Sequence, residues 1–453
     1  MSETVNFSQK RVVTGAMWTV GAYGLSVCLR FVSNVILSRI VAPEVFGVLM
    51  IVFTLKNGME LVTDVGIGQS VVRNPNAENR SFKNTVWTLQ FVRSFILCCI
   101  FSIAAYPLSA LYDISPSLLQ VTALNILILG AASTSFYYMQ RHMMLKQANL
   151  FEVVLDVTTI IVTVTLALIH PSVWAIMVAN LISAIIRATA SYMLPHAVNW
   201  FEWNTAYVRE VLSFGKWIFL SSLLAFLCGN FDKLFLAQAV PLALVGVYSI
   251  ARIIADLPGT LIGRISFQLV FPLISASASE ARPALIQQVS PLRFKLLLLA
   301  ATSIAIGIAT ADFAISIVYD ARYHDAGWML SMLLVGAWFG ILSTVNEYTM
   351  LGVGKPAYGV AGNLLKLLSL VVLSYAGQAW LGLAGVILAV IASELLRYFP
   401  IAFGQRRERI SFLSQDLLIN AIFLALIALL LFIRIELGYG TPFATVSMAI
   451  GHS

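Results

Sequence analysis

Long apolar runs separated by short polar connectors dominate this chain of 453 residues. The runs are about 20 or more residues long and show no strict alternation, which predicts membrane-crossing helices and excludes the strands of a barrel. Pro or Gly marks several connectors, as at Pro43, Pro171 and Gly354. The pattern predicts thirteen helices, at residues 12–38, 45–70, 84–110, 117–140, 151–169, 173–195, 209–238, 243–274, 292–318, 327–350, 357–378, 381–403 and 416–437.

Composition decides where these helices lie. Charged residues make up only 11% of the chain, whereas a soluble domain carries roughly 25%. A surface this poor in charge must be solvated by lipid, where a helix satisfies its own backbone polar groups. The net charge of +7 falls mostly in the connectors, so it indicates topology and not nucleic-acid binding. The sequence therefore predicts an all-α, multi-pass membrane protein.

The connector charges also orient the chain. Three basic residues lie on one side, Arg39, Arg322 and Arg434, and fifteen lie on the other. This bias predicts a cytoplasmic amino terminus in the cytoplasmic (inner) membrane. The first run is too long for a signal peptide and is expected to stay as an anchor. Thirteen spans place the carboxyl terminus outside, although a partial fourteenth element in the tail 438–453 stays open. The fifteen residues are Lys10, Arg11, Arg73, Arg80, Lys83, Arg141, Lys146, Arg209, Arg282, Arg293, Lys295, Lys355, Arg406, Arg407 and Arg409.

An internal repeat organises the chain into two halves. A shift of 199 positions aligns eight identical residues of the first two apolar runs with the seventh and eighth, among them Trp18 with Trp217 and Gly47 with Gly246. Six spans per repeat is an even number, so both halves enter the membrane from the same side. We therefore expect two six-helix lobes, residues 1–200 and 201–405, related by a pseudo-two-fold axis along the membrane normal around a central cavity. Residues 406–453 would add one further helix and a tail.

Ionisable residues inside apolar runs are the main functional signal. Each costs at least about 2.5–3.5 kcal/mol at a helix centre, so it is expected to face a partner or a cavity. Arg30 stands near the middle of its run with no acidic residue in the same run. We hypothesise that Arg30, Lys233, Arg264 and Lys366 bind an anionic substrate, because guanidinium and ammonium groups suit phosphate. The alternative for Arg30 is an ion pair with Glu60 or Asp64.

Two further pairs of charged residues are four positions apart and so share a helix face. Glu60 and Asp64 could bind a proton or Na⁺ for coupling, or could simply pair with Arg30 or Arg73. Arg252 and Asp256 are expected to form an ion pair within one helix.

The sequence holds no pattern of an enzyme, and no metal site or cofactor is expected. All four cysteines, Cys28, Cys98, Cys99 and Cys228, fall inside apolar runs without metal-ligand spacing. The stretch 352–356 lacks the spacing and the Ser/Thr of a phosphate loop. The predicted outer connectors are too short for the catalytic groups of a membrane glycosyltransferase or polymerase.

Several short motifs resemble those of the polysaccharide transporter family, the flippases of lipid-linked O-antigen and exopolysaccharide repeat units. This family belongs to the multidrug/oligosaccharidyl-lipid/polysaccharide exporter superfamily. The resemblance covers residues 10–275, and the helix pattern continues to about 403. Its motifs are Gly15-Ala16-Met17-Trp18, Leu37-Ser38-Arg39, Phe46-Gly47, Asp64-Val65-Gly66, Asn230-Phe231-Asp232-Lys233-Leu234, Gly246-Val247-Tyr248 and Leu257-Pro258, together with the connector 141–151.

The resemblance implies twelve core helices in two lobes that open alternately to each side, with cationic residues such as Arg30 and Lys233 lining the cavity. The expected function is to flip an undecaprenyl-pyrophosphate-linked oligosaccharide, with membrane lipids and possible polymerase and export machinery as partners. Three alternatives stay open. They are an ion-coupled antiporter of soluble organic cations or metabolites, a membrane-embedded polymerase or glycosyltransferase, and an assembly scaffold.

Overall fold

A computed structural model describes residues 9–63, 66–195, 199–277 and 281–443. In those ranges the regular structure is entirely helical, which confirms the predicted all-α class. The helices are α1 (Gln9–Ile40), α2 (Pro43–Val62), α3 (Ile67–Arg73), α4 (Arg80–Tyr112), α5 (Pro116–Gly130), α6 (Ser135–Arg141), α7 (Leu145–Ile169), α8 (Val173–Ser191), α9 (Thr205–Ala239), α10 (Leu242–Ile265), α11 (Phe271–Ala276), α12 (Arg282–Val318), α13 (Ala326–Gly352), α14 (Ala357–Arg407) and α15 (Leu413–Glu436).

Every predicted apolar run corresponds to helix, but several runs are broken or bent. The second run divides into α2 and α3, and the fourth into α5 and α6, whose axes differ by 52°. Predicted runs eleven and twelve form the two parts of α14, which meet at Gly382. That glycine has φ 56° and ψ −138°, a backbone conformation that side chains with a Cβ avoid.

Nine helices of the described ranges are long and apolar enough to cross a membrane, or ten if the bent pair α5–α6 counts as one span. Here α14 counts once although its parts lie on both sides of Gly382. The protein is therefore a multi-pass membrane protein.

Helix ends support the internal repeat seen in the sequence. Helices α1 and α9 end at Ile40 and Ala239, and helices α2 and α10 begin at Pro43 and Leu242. In each pair the two positions are 199 residues apart, which is the offset that aligns the two halves of the sequence.

The chain forms two compact units, and the division falls inside α9, between Leu223 and Leu224. Unit 1 contains α1–α8 and the first part of α9. Unit 2 contains the remainder of α9 and α10–α15. The lobe limits at residues 200 and 405 stay a prediction.

One end of unit 1 is stabilised by Arg141, the last residue of α6. Its Nη1 donates hydrogen bonds to the carbonyl oxygens of Val71, Val72 and Asn74, at 2.8–3.0 Å, and so satisfies acceptors where α3 ends. Glu78, in the connector between α3 and α4, accepts a hydrogen bond from Lys83 at 3.0 Å. Burial raises the pKa of Glu78, but the hydrogen bond and charge of Lys83, together with His142, bring that pKa below its usual value.

Within unit 2, polar contacts along the length of α15 join this helix to α12 and α13. Asp416 in its first turn pairs with Arg293 of α12, and both side chains are buried. Asn420 accepts a hydrogen bond from the indole of Trp338 at 2.8 Å. Near the other end Arg434 pairs with Asp312 of α12.

Two basic residues that were counted among the connector charges are therefore buried inside helices. Arg293 is 0% exposed, three turns inside α12. Arg434 is buried in the last turn of α15. Both were counted among the connector charges because they lie near the ends of the predicted runs 292–318 and 416–437. A buried guanidinium needs a carboxylate partner that only the tertiary structure supplies.

Candidate functional site

Charged side chains in unit 1 converge on one face of α7. Glu152 and Asp156 are one turn apart on this helix and so share a face. Arg30 of α1 donates from Nη2 to Asp156 at 3.1 Å. Arg187 of α8 binds Glu152 through both terminal nitrogens, at 3.0 and 2.5 Å. Carboxylates on a single helix thus hold cations from the helices on either side.

These cations are within the apolar length of the helices and yet remain accessible. Arg30 is ten residues before the end of α1, a distance of about 15 Å along the helix. The side chains of Arg30 and Arg187 are 68% and 38% exposed within the protein itself. Exposure of guanidinium groups to hydrocarbon is costly, so such groups face water, a partner or a polar ligand.

A second polar group of unit 1 surrounds Lys56 of α2. Its Nζ donates to the amide oxygen of Asn125 at 2.7 Å, and the amide nitrogen of Asn125 donates to the carbonyl oxygen of Asn180 at 3.0 Å. Glu60 is 3.9 Å from Nζ, which is an ion pair but too long for a hydrogen bond. A small cavity, with room for about one water molecule, adjoins these groups between α2, α5 and α8, with Phe53, Thr122 and Met177 also in its wall.

Unit 2 contains a chain of ion pairs centred on Glu394 of α14, with side chains that are 9–30% exposed. Lys366, from the first part of α14, donates to Glu394 at 2.5 Å. Arg397 is 3.7 Å from Glu394 and also hydrogen-bonds Glu347 of α13. Glu347 in turn accepts a hydrogen bond from Asn363 at 3.3 Å. These ion pairs connect the two parts of α14 to each other and to α13.

A neighbouring group of unit 2 surrounds Asp232 of α9, which is buried. Tyr248 donates a hydrogen bond to this carboxylate, and Arg252 lies 3.5 Å from it. Arg252 also lies 3.4 Å from Asp256 of its own helix, which confirms the predicted ion pair. The sequence did not reveal that Asp232 shares the same guanidinium.

The structure gives each predicted substrate residue a distinct environment. Arg30 and Lys366 hydrogen-bond carboxylates, whereas Lys233 donates to the amide oxygen of Asn230 at 3.0 Å. Arg264 occupies the last turn of α10. Lys233, Arg264 and Lys366 belong to unit 2 and Arg30 to unit 1.

Of the two predicted coupling residues, Glu60 and Asp64, the structure describes Glu60. Glu60 pairs with Lys56, one turn earlier on α2. Asp64 lies outside the described residues. Arg30 pairs with Asp156 of α7, a carboxylate that the sequence analysis did not consider as its partner.

Sequence reasoning missed four charged residues of unit 1: Lys56, Glu152, Asp156 and Arg187. A signal for two of them was present, because Glu152 and Asp156 are four positions apart in an otherwise apolar run. Among the described residues, no group of His, Cys, Asp and Glu side chains could hold a metal ion.

Solved structures with the same fold are transporters. The fold matches a lipid II flippase, MurJ, in an inward closed conformation with a TM-score of 0.75, at 13% identity, over 96% of this chain and 95% of the other. It also matches an inward-facing multidrug resistance MATE family transporter with a TM-score of 0.59, at 15% identity, over 88% and 94% of the two chains. These likenesses show that the protein shares the helical membrane fold of these transporters.

The sequence comparisons give the family. The profile described as "Polysaccharide biosynthesis protein" matches residues 36–327, and the chain belongs to this family. It is 22% identical to the succinoglycan biosynthesis transport protein ExoT of Rhizobium meliloti, over 60% of this chain and 55% of that protein. It is 20% identical to the lipopolysaccharide biosynthesis protein WzxC of Escherichia coli, over 58% and 54%. The chain thus spans little more than half the length of each of these relatives.

Proposed function

We propose that this protein is a flippase that carries an undecaprenyl-pyrophosphate-linked oligosaccharide repeat unit across the cytoplasmic membrane. Family membership supports a role in polysaccharide biosynthesis. The names of its relatives specify a succinoglycan transport protein, a lipopolysaccharide biosynthesis protein and a lipid II flippase. A lipid-linked saccharide is the cargo that accounts for all three.

The observation that carries this proposal is the set of basic side chains within apolar helices of both units. A pyrophosphate must keep its charge compensated while it crosses hydrocarbon. Arg30 offers a planar fork of donors, and Lys233 and Lys366 offer ammonium groups, both of which bind phosphate oxygens. The polyprenyl tail can stay in lipid, so only the head group needs a polar route.

Two of the proposed phosphate ligands are paired with carboxylates. Asp156 compensates the charge of Arg30, and Glu394 compensates that of Lys366. In our proposal the phosphate oxygens replace these carboxylates during transport, within a cationic cavity that opens alternately to each side. A carboxylate freed in this way, or Glu60, would take up the coupling proton or Na⁺.

The proposed location follows from the connector charges, with the amino terminus in the cytoplasm and the carbohydrate delivered to the outer face. The partners in this scheme are the lipid-linked oligosaccharide, the surrounding lipids, and a polymerase or export machinery that consumes the flipped unit.

Gene deletion followed by extraction of lipid-linked sugars tests the proposal. A flippase predicts loss of surface polysaccharide and accumulation of lipid-linked repeat units in the cytoplasmic leaflet, restored by the wild-type gene on a plasmid. Normal amounts of these intermediates would contradict it. Altered export of small organic cations in the same strain would instead favour the antiporter, whose fold the MATE likeness also represents.

A further inference from the structure

The turn between α14 and α15 concentrates positive charge at one end of unit 2. Arg406 and Arg407 are the last two residues of α14, and Arg409 follows in the turn. All three side chains are exposed. The one acidic residue of the stretch 405–415 is Glu408, and its carboxylate lies 3.7 Å from Lys355 of the α13–α14 turn. Four positive charges and one negative charge leave this surface with a net charge of +3.

The three arginines differ from other basic residues of unit 2 in having no carboxylate partner among the described residues. In that part of the chain the guanidinium groups of Arg406, Arg407 and Arg409 form no ion pair and no side-chain hydrogen bond. Arg293 and Arg434 each pair with an aspartate. An external anion is therefore the natural counter-charge of the turn.

The backbone gives an independent indication that the side chain of Arg409 has a function. Its N–H donates to the carbonyl oxygen of Arg406 at 3.2 Å, and the N–H of Ile410 donates to that of Gln405 at 2.8 Å. These bonds end α14 with Arg409 at φ 60°, where helices usually have glycine. A residue with a Cβ is strained in this conformation, and strain of this kind is typical of functional positions.

Exposed apolar side chains lie directly beside the charged turn. Phe399 and Phe403 of α14 are both more than half exposed, and Arg407 continues their series at intervals of four, so the three share a helix face. Arg407 is about 6 Å beyond Phe403 along the helix axis. The head-group layer on each side of a bilayer is about 5–8 Å thick. With the phenylalanines in hydrocarbon, the guanidinium groups therefore reach the level of the lipid phosphates.

We propose that the α14–α15 turn binds the head group of an anionic phospholipid, with Arg406, Arg407 and Arg409 as the phosphate ligands. Guanidinium forks suit phosphate oxygens, and basic clusters beside a membrane span attract anionic lipids. The acyl chains lie against Phe399 and Phe403, a surface for which a soluble anion has no use. This site belongs to unit 2 alone and goes beyond the flippase function, because it does not depend on the cargo.

Lipid binding to the purified full-length protein in mild detergent, followed by native mass spectrometry, tests the site. The probes are phosphatidylglycerol, phosphatidylcholine with the same acyl chains, and glycerol phosphate without acyl chains. We expect the wild type to bind phosphatidylglycerol more tightly than either of the other two. Arg406→Gln combined with Arg407→Gln should weaken phosphatidylglycerol binding about twentyfold, because each arginine near a membrane surface contributes a factor of about five.

Two further variants separate binding from charge and from folding. Arg80→Gln combined with Arg209→Gln removes the same charge from exposed arginines of unit 1 and should bind phosphatidylglycerol like the wild type. Arg409→Gly relieves the strained backbone, so its thermal unfolding temperature should equal or exceed that of the wild type. Its affinity for phosphatidylglycerol should nevertheless fall about fivefold.

Several results would overturn the lipid site. They are equal affinity of the wild type for the two phospholipids, an equal loss of binding in the unit 1 variant, and wild-type affinity in both the double variant of α14 and Arg409→Gly. Binding of glycerol phosphate as tight as that of phosphatidylglycerol would show a site for a soluble anion instead. None of these results bears on the flippase proposal, which the extraction of lipid-linked sugars tests by itself.

Discussion

Arg30 and Lys366 show how basic residues are kept within apolar helices. Each is compensated by a carboxylate from another helix or helical segment, Asp156 for Arg30 and Glu394 for Lys366. The pairs differ in exposure, since Arg30 is largely exposed and Lys366 is buried. The exposed pair can exchange its partner for a ligand at lower cost than the buried one, because less desolvation has to be reversed.

The greater exposure of the Arg30–Asp156 pair leads to a prediction for Arg30. Arg30→Ala should abolish or severely reduce delivery of surface polysaccharide while expression is retained, because the guanidinium that we propose to bind phosphate is lost. The measurement is surface polysaccharide per amount of membrane-inserted protein. Undiminished transport would exclude an essential role.

A double variant separates binding from structure. If Arg30 serves only to compensate Asp156, Arg30→Ala combined with Asp156→Ala should recover activity, because both members of the pair are removed. If Arg30 binds substrate, the double variant should stay as inactive as the single one.

Local sequence revealed only part of this residue-level arrangement. Arg252 and Asp256 are four positions apart, so their contact follows from helix geometry. Arg30 and Asp156 are 126 positions apart, and nothing local joins them. Periodicity identifies a charged residue in a span, but its partner depends on which helices pack together.

At the scale of elements, apolar runs predicted where helices occur but not where they break. The two parts of α14 approach so closely that a Cβ on Gly377 or Gly385 would overlap the backbone of the other. An apolar run shows that a helix exists, whereas such an approach depends on residues without a Cβ at facing positions.

The close contact between the two parts of α14 leads to a prediction for Gly385. Gly385→Val should destabilise unit 2 by about 1–3 kcal/mol or more, because backbone atoms must move to admit the side chain. Thermal unfolding of the purified protein measures the effect. Gly354→Ala in the α13–α14 turn is a useful comparison, because its cost is backbone strain at φ +76° with no atom within 4 Å. If Gly385→Val unfolds at the wild-type temperature, the close packing of α14 is wrong.

The attachment of α15 gives a second prediction at this scale. Asp416→Ala leaves the buried guanidinium of Arg293 without its carboxylate and should cost about 3–5 kcal/mol. Arg293→Met combined with Asp416→Leu removes both charges and should lose much less. Thermal unfolding again measures both, and equal losses in the single and double variants would contradict a stabilising ion pair.

For the whole molecule, the repeat was predicted from eight aligned residues, and the helix ends at the same offset of 199 support it. Only the first two spans of each half keep this offset, so sequence identity could not extend the repeat further. The all-α class followed from composition, because a chain so poor in charge has few other ways to satisfy its backbone.

Orientation is predicted at this scale. A fluorescent protein fused after Arg407 should fluoresce, because that position is expected in the cytoplasm, and alkaline phosphatase fused after Glu436 should be active, because α15 is expected to cross to the outside. The reciprocal fusions are the controls. Activity of phosphatase after Arg407 would reverse the predicted topology.

The buried Arg293–Asp416 pair also constrains how this chain can change over generations. Helix α15 supplies a charge on which a core helix of unit 2 depends, so its loss would leave α12 with an isolated cation in its interior. A descendant could dispense with the appended helix only after Arg293 had been replaced by an uncharged residue. Homologous sequences should therefore either have both α15 and an arginine at position 293, or lack both. A collection of such sequences would reveal this correlation.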